Sequence, residues 1–269
     1  MAMMYPQLVL LGDSLFQNSI ALQDGFSFNA AVQSLCTRKL DVINRGLSGW
    51  NTKNLIEYMD RIFPEPTANT PEIKYVAILM GANDAVLPFS PTKQHVPIDE
   101  YKENLIKIIS HPRIKKNKPI ILLVTPPPVD ELKHSKLDAE SGLSSSIRTS
   151  AVSASYAEKA REVARENPDR VVLVDLWQAI MDKAIAMSPD DYQPGGPWLG
   201  SPENGKAGGL DTLLPDGLHM NGEAYRIFFD IIRPHIGKEW EGLPPNAGYV
   251  FPSWQNMNRV EVVTEIPDN

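Results

Sequence analysis

Five short apolar runs alternate with helix-like segments along this chain, and this alternation restricts the fold more than any other feature of the sequence. Most of the runs are continuously apolar, which is typical of parallel strands buried on both faces. Strand–helix alternation predicts an α/β fold, a doubly wound sheet with helices on both faces. The predicted strands are 7–11, 40–44, 75–80, 120–124 and 171–175. The predicted helices are 27–38, 53–62, 99–110, 146–166, 176–186 and 222–232.

The length of 269 residues suits one large α/β domain with a well-buried core. We expect that domain to span residues 1–241 and an aromatic tail, 242–269, to pack on it or on a partner subunit. Two long connections, 126–145 and 188–215, are expected to be loops at the carboxyl edge of the sheet. Ligands of open α/β folds bind at that edge, so both loops are candidates for a functional role.

Charge and cysteine content exclude several classes of partner. The formal net charge of -7 argues against a nucleic-acid partner, and the densest basic run, 113–118, is expected to be a solvated turn. A single cysteine, Cys36, rules out an internal disulfide framework and favours a reducing compartment. No apolar stretch is long enough for a membrane span, and the run 8–11 is too short for a signal peptide. We therefore expect a cytoplasmic protein.

Ser14 directly follows the first predicted strand, in the run Leu11-Gly12-Asp13-Ser14. Because ligands bind at the carboxyl ends of parallel strands, we expect its hydroxyl to face solvent at that edge. A serine in this position is a candidate nucleophile for acyl transfer. Taken alone, the same run is also compatible with a loop whose serine caps a helix.

Asp216 and His219 form a second candidate group, just before a helix that we expect to be capped by Asn221. The spacing of three residues lets the carboxylate reach the imidazole Nδ1, which leaves Nε2 free to accept a proton from a serine. An Asp-Gly turn followed by an unrelated histidine is the alternative. We assign no comparable acidic partner to the other histidines, which are His95, His111, His134 and His235.

Two further runs contain candidate hydrogen-bond donors. Asn83 follows the third strand, in Gly81-Ala82-Asn83-Asp84, and a carboxamide there would stabilise the oxyanion of a tetrahedral intermediate. The run 44–50 follows the second strand, and its small residues leave backbone N–H groups accessible. Each run alone is compatible with an ordinary turn, with Asn83 or Asp84 capping the next helix.

The four runs, taken together and in this order, resemble the SGNH hydrolases, also called the GDSL family. The resemblance spans roughly residues 8–235. It implies that Ser14 is the nucleophile and a backbone oxyanion donor, that His219 is the base, and that Asp216 orients this histidine. It also implies that Gly49, rather than Gly46, and Asn83 are the other oxyanion donors.

Three segments, 44–46, 81–85 and 124–130, resemble the isoamyl acetate-hydrolysing esterase branch of that family. This branch implies a flavodoxin-like three-layer α/β/α sandwich with a five-stranded parallel sheet. It implies a serine esterase that cleaves small, short-chain carboxylic esters through an acyl-enzyme, with no cofactor and no metal. Lysophospholipase, thioesterase or carbohydrate acetylesterase activity is the alternative within the family.

Three readings from other classes were weighed against the esterase. An α/β-hydrolase is disfavoured because the chain lacks a Gly-x-Ser-x-Gly elbow. A flavodoxin-like ligand-binding module fits the fold class but leaves the Asp216 and His219 pair unexplained. A metal-dependent phosphodiesterase would use Asp13, Asp84 and Asp216 as ligands.

The substrate pocket and the oligomeric state are less determined by the sequence. Apolar residues next to the reactive groups are candidates for the pocket, although such residues also serve as plain core. These candidates are Leu15, Trp50, Pro127, Leu218 and Met220. A homodimer and a monomer both remain open.

Overall fold

Five parallel strands form a single sheet in the computed structural model, which describes residues 4–244 and 246–257. The strand order is β2-β1-β3-β4-β5, and all four neighbouring pairs are parallel. The predicted α/β fold with a five-stranded parallel sheet is confirmed. The strands are β1 (Gln7–Gly12), β2 (Asp41–Gly46), β3 (Ile73–Leu79), β4 (Ile120–Val124) and β5 (Val171–Val174).

Helices cover both faces of this sheet, as in a three-layer sandwich. The longer helices are α1 (Phe28–Cys36), α2 (Thr52–Ile62), α3 (Ile98–Ile109), α4 (Glu131–Glu140), α5 (Ser150–Glu166), α6 (Leu176–Met187) and α7 (Gly222–Ile232). Single-turn α-helices lie at Ser14–Gln17, Pro112–Lys115, Leu210–Leu213 and Trp254–Met257. Single turns of 3-10 helix lie at Asn18–Ile20, Pro189–Asp191, Arg233–His235 and Lys238–Trp240.

The core has two halves because successive strand residues point to opposite faces of the sheet. Leu8 and Leu10 of β1 belong to the cluster formed with α1, α6 and α7, in which the rings of Phe28 and Phe228 stack 4.4 Å apart. Val9 and Leu11, on the other face, pack with α2, α3 and α5. Burial on both faces explains why the strands are continuously apolar.

The connection predicted as a loop over residues 126–145 contains a helix, α4, so this prediction is wrong. Asp130 caps the helix by accepting a hydrogen bond from the Lys133 N–H at 3.2 Å. Asp138 is its only buried residue, so polar contacts rather than an apolar face hold the helix in place. Helix α5 begins at Ser150 rather than 146, because Thr149 caps it there.

The basic run 113–118 is also more structured than predicted. It overlaps the single-turn helix Pro112–Lys115, and Arg113 pairs with Asp60 at 3.0 Å. Arg113 also donates a hydrogen bond of 2.7 Å to the Phe63 carbonyl. This arginine therefore fastens the end of α2 rather than standing free in solvent.

The described part of the tail contacts the loop that follows α1. The Val250 N–H donates a hydrogen bond to the Arg38 carbonyl at 2.9 Å. The Arg38 guanidinium donates to the Pro252 carbonyl at 2.7 Å and lies 4.5 Å from the centre of the Tyr249 ring. The expectation for the tail as a whole stays a prediction, because 258–269 lie outside the described residues.

Across 4–244 and 246–257, no helix combines the length and the apolar content needed to cross a bilayer.

Candidate active site

Strands β1 and β3 lie side by side at the centre of the sheet, and the chain leaves their carboxyl ends in opposite directions. This arrangement is the topological switch point at which open α/β sheets bind ligands. Ser14 follows β1 and begins a single-turn helix, while Asn83 follows β3. The sheet therefore brings the serine and the asparagine to one edge.

Ser14, His219 and Asp216 form a continuous hydrogen-bonded chain. The Ser14 Oγ lies 2.8 Å from Nε2 of His219, across 205 positions of sequence. The Nδ1 atom of His219 lies 2.6 Å from Oδ2 of Asp216. An anionic carboxylate accepts hydrogen bonds only, so Nδ1 carries the proton and Nε2 is the free acceptor for the serine hydroxyl.

A glycine turn presents His219 to the serine. Gly217 has φ +82°, and a Cβ at that position would lie 2.7 Å from the Asp130 carbonyl. The turn is closed by Asp216, whose Oδ1 accepts the N–H groups of Leu218 at 2.9 Å and His219 at 2.7 Å. Asn221 then caps α7 by accepting the Ala224 N–H at 2.9 Å, as predicted.

The candidate nucleophile, Ser14, is anchored to the same region of the fold. Asp13 caps the helix of Ser14, with its Oδ1 accepting the Leu15 N–H at 2.9 Å. Tyr225, on α7, donates its hydroxyl hydrogen to the Leu15 carbonyl at 2.6 Å. Helix α7, which follows His219, therefore also forms a hydrogen bond with the backbone next to Ser14.

The charges of the site favour a histidine base. The hydrogen bond to Asp216 raises the pKa of His219 above its ordinary value of 6.5, and burial opposes this only in part. Burial alone would raise the pKa of Asp216, but hydrogen bonds from the His219 ring and from two backbone N–H groups hold it well below 3.8. Asp216 is therefore ionised over the whole physiological range. Burial also raises the pKa of Asp13, to about 6.

Two backbone N–H groups near the serine have no acceptor among the described residues, those of Ser14 and Gly49. Gly46 differs, because its N–H already donates to the Asn44 side chain at 2.8 Å. Gly49 has φ +79°, which a residue with a side chain rarely adopts. Its carbonyl accepts a hydrogen bond from Gln94 at 2.7 Å, which holds the following Gly49–Trp50 peptide in place.

The carboxamide of Asn83 is held on two sides. Its Nδ2 donates to the Trp50 carbonyl at 2.9 Å, and its Oδ1 accepts from the Arg148 guanidinium at 3.1 Å. Only 5% of Asn83 and 7% of Arg148 are exposed. Arg148 was missed from the sequence because it lies inside the predicted helix 146–166, where an arginine carries no special signal.

The candidate pocket residues fall into different environments. Leu15 and Met220 are packed in the core, and Trp50 is half-buried with its ring 5.1 Å from that of Tyr58. Pro127 and Leu218 line a small cavity beside the site. Its volume is about 10 Å³, and its other lining residues are Gly81, Ala82, Ala85, Pro126, Val129, Arg148, Thr149 and Ser153.

Asp84, a ligand in the metal-dependent alternative, has a structural contact instead. Its Oδ1 accepts the Thr52 N–H at 3.0 Å and the Thr52 hydroxyl, which joins the end of β3 to the start of α2. Burial raises the pKa of Asp84 to about 7. Within the residues that the structure describes, no group of three or more His, Cys, Asp or Glu side chains is placed to hold a metal ion.

One expectation about the other histidines is wrong. His134 has an acidic partner in sequence, Asp138, whose Oδ2 lies 3.0 Å from its Nδ1 on the next turn of α4. The spacing of four residues on a helix was the missed signal.

Comparison with known proteins places this geometry in a family. The family model described as the GDSL-like Lipase/Acylhydrolase family matches residues 10–227. A GDSL esterase/lipase of Arabidopsis thaliana is 30% identical over 262 residues, which cover 95% of each chain. The isoamyl acetate-hydrolyzing esterase 1 homolog of Mus musculus is 29% identical and covers 97% of this chain and 91% of the mouse protein.

A solved structure, the lipase/acylhydrolase from Enterococcus faecalis, shares the fold with a TM-score of 0.57 and 21% identity, over 86% of this chain and 95% of that one. The family match begins within β1, ahead of Ser14, and ends within helix α7, past His219. The chain therefore belongs to the GDSL-like lipase/acylhydrolase family, resembles its isoamyl acetate-hydrolysing branch, and is a carboxylic ester hydrolase.

Proposed function

We propose that this enzyme hydrolyses small esters with short acyl chains, such as acetates, through an acyl-enzyme on Ser14. The observation that carries the proposal is the chain of two hydrogen bonds from Ser14 through His219 to Asp216, 2.8 Å and 2.6 Å long. These three side chains have the relation that a nucleophile, its base and the orienter of that base require.

Acylation begins when Nε2 of His219 takes the Ser14 hydroxyl proton while Oγ bonds to the ester carbonyl carbon. The carbonyl oxygen becomes an oxyanion, for which the donors are the N–H groups of Ser14 and Gly49 and the Asn83 carboxamide. The oxyanion then collapses, the bond to the alcohol oxygen breaks, and His219 gives its proton to that oxygen. The products are the free alcohol and an ester of Ser14.

Deacylation repeats these steps with water. His219 takes a proton from water while the water oxygen adds to the acyl carbon, and collapse breaks the bond to Oγ. The proton returns from Nε2 to Oγ, and the free acid leaves. Asp216 stays ionised throughout and stabilises the imidazolium that forms in both halves.

The preference for a short acyl chain rests on the cavity lined by Pro127 and Leu218. Its volume of about 10 Å³ is roughly that of one water-sized group. Leu218 directly precedes the base, and Ala82, also in the wall, directly precedes Asn83. We propose that this cavity receives the acyl methyl group, and that Trp50 contacts the alcohol part of the substrate. Relatives named isoamyl acetate-hydrolyzing esterase 1 homolog support the same size class.

Two further proposals concern the state of the enzyme. We propose a cytoplasmic location, supported by the single cysteine, Cys36, which is buried. We also propose that the enzyme is a homodimer, which light scattering of the purified protein would distinguish from a monomer.

Covalent labelling combined with a substrate series tests the function. A fluorophosphonate should modify wild-type enzyme at Ser14, identified by peptide mass spectrometry, and should not modify Ser14→Ala. Turnover of p-nitrophenyl esters should decrease from acetate to butyrate to octanoate. Labelling at another residue would refute the nucleophile, and a ligand-binding module would not be labelled at all. A preference for octanoate would instead favour a lysophospholipase-like activity.

A further inference from the structure

We infer that Arg148 is a positioning residue for the reaction, which holds the Asn83 carboxamide toward the oxyanion and places a positive charge behind it. The inference rests on the proposed function, because it concerns the oxyanion donor of that same site. None of the motifs that define the site includes this arginine.

The contacts of Asn83 decide which way its amide points. A guanidinium can only donate, so the atom at 3.1 Å from Arg148 must be Oδ1. A backbone carbonyl can only accept, so the atom at 2.9 Å from the Trp50 oxygen must be Nδ2. Nδ2 carries two hydrogens, and the second has no acceptor among the described residues. Arg148 and Trp50 together therefore leave one amide hydrogen for the substrate.

The charge of Arg148 is unusual in its surroundings. The guanidinium is buried, and it also donates to the Ala82 carbonyl, the peptide next to Asn83. In the described part of the chain, no carboxylate lies within salt-bridge distance of it. Asp13, Asp138 and Asp216 are near enough to favour its charged form, against a burial that lowers its pKa. Arginine stays protonated under such conditions.

A positive charge at this point acts on the transition state more than on the bound ester. The carbonyl oxygen gains a full negative charge only when the serine has added to it. The Arg148 charge polarises the Asn83 amide and makes Nδ2 a stronger donor. The hydrogen bond from Nδ2 to the substrate oxygen therefore stabilises the anionic transition state more than the neutral ester. The expected effect is on kcat, with little change in KM.

Helix α4 holds the backbone that carries Arg148. Oδ2 of Asp138 accepts the Ile147 N–H at 3.0 Å, and it lies 3.2 Å from the Ser146 hydroxyl and 3.0 Å from His134 Nδ1. The Ser146 hydroxyl is also 2.8 Å from the Arg148 carbonyl. These hydrogen bonds, rather than apolar packing, therefore hold residues 146–148 against the site.

A double-mutant cycle tests the inference, with p-nitrophenyl acetate as substrate and active sites counted by fluorophosphonate incorporation. Arg148→Gln keeps a neutral N–H donor near Asn83 but removes the charge. We expect it to lower kcat about 10- to 100-fold, with KM within about threefold of wild type. We expect Asn83→Ala to lower kcat about 100- to 1,000-fold. In the Asn83→Ala background, Arg148→Gln should change kcat less than about threefold, because coupled residues are non-additive.

Chemical rescue and a matched control separate positioning from folding. Millimolar guanidinium chloride should restore kcat of Arg148→Ala at least about tenfold relative to sodium chloride at the same concentration, whereas a structural loss would not respond. Arg161→Gln is the control, because Arg161 is a largely buried arginine of α5 that pairs with Asp175 at 2.8 Å and with Glu158 at 3.2 Å rather than with Asn83. It should lower the melting temperature and leave kcat per active site unchanged.

Two results would overturn the inference. Equal loss from Arg148→Gln in the wild-type and Asn83→Ala backgrounds would show that Arg148 does not act through Asn83. If Arg148→Gln does not fold, Arg148→Lys replaces it in the cycle. Lysine keeps the charge but lacks the forked donors that reach both Asn83 and Ala82, so a loss of kcat that is equal in the wild-type and Asn83→Ala backgrounds would overturn the positioning role. An unchanged kcat in Asn83→Ala would remove the oxyanion role of Asn83 and this inference with it, while labelling of Ser14 would still support the esterase.

Discussion

The two ends of the sheet each have a cavity, and the larger cavity is not the one that lies beside the candidate catalytic residues. At the amino ends of β4 and β5, a cavity of about 650 Å³ is lined by residues that include Lys118, Ile120, Arg170 and Val172. At the carboxyl ends of β1 and β3, the cavity beside the triad measures about 10 Å³. Among the residues described in its wall, the larger one has no serine, threonine, cysteine or histidine. Cavity volume alone would therefore point away from the candidate active site.

Burial of polar groups distinguishes the two ends more reliably. Lys118 and Arg170 are exposed, so their charges are solvated and screened. Asp13, Asn83 and Arg148 are buried at the other end, where hydrogen bonds hold each in one orientation. Burying polar groups costs stability unless they are hydrogen-bonded, so their concentration at this edge supports the proposal that it is the functional edge.

The largest effect that would sharpen this comparison is expected from Asp216→Asn. Loss of the carboxylate leaves His219 without its orienting anion, and we expect kcat to fall about 10,000-fold. In the wild type, protonation of His219 removes the base, so kcat/KM should fall with decreasing pH with a midpoint above 6.5. In Asp216→Asn the midpoint should move to lower pH, because the hydrogen bond to the Asp216 carboxylate that raises the pKa of His219 is lost.

Asp182→Asn is the matched control for that change, because Asp182 is an exposed aspartate of α6 bonded to Gln178. Steady-state rates from pH 5 to 9 for both variants provide the test. A loss below about tenfold in Asp216→Asn, or an unmoved midpoint, would contradict the assigned role.

A smaller effect is expected on selectivity from Leu218→Ala. Shortening this side chain enlarges the small cavity, and one or two methylene groups in an apolar pocket are worth roughly 1–3 kcal/mol. The ratio of kcat/KM for p-nitrophenyl butyrate to that for the acetate should rise about tenfold. Leu213→Ala removes a buried leucine of the same core outside this cavity and should leave the ratio unchanged. Equal ratios in both variants would refute the acyl-pocket assignment.

The smallest effect on activity is expected from a change at the amino ends of β4 and β5. Arg170→Ala removes an exposed charge from the wall of the large cavity, together with one hydrogen bond of 3.2 Å to the Ile109 carbonyl. We expect kcat/KM for small esters to stay within about twofold, because Arg170 lies at the opposite end of the sheet from Ser14 and has no contact with the proposed transition state. A tenfold loss of kcat/KM in Arg170→Ala would show that the large cavity contributes to turnover and would contradict this comparison.

The strands and the contact between Asp216 and His219 could be predicted from the sequence because both depend on short-range patterns. The continuous apolar run of β3 reflects burial on two faces, and Asp216 and His219 are only three residues apart. Arg148 could not be found in this way, because its partner Asn83 is 65 positions away. Helix α4 was missed for a related reason, since its contacts are polar and its only buried residue is Asp138.

The hydrogen bond between Tyr225 and the Leu15 carbonyl joins two segments of the candidate site that lie far apart in the sequence. A ribosome delivers Ser14 at a point 205 positions before His219, so a growing chain carries the candidate nucleophile before its proposed base. If the proposed triad is correct, hydrolytic competence requires that α7 has docked. Ester cleavage can therefore report on completed folding of this domain.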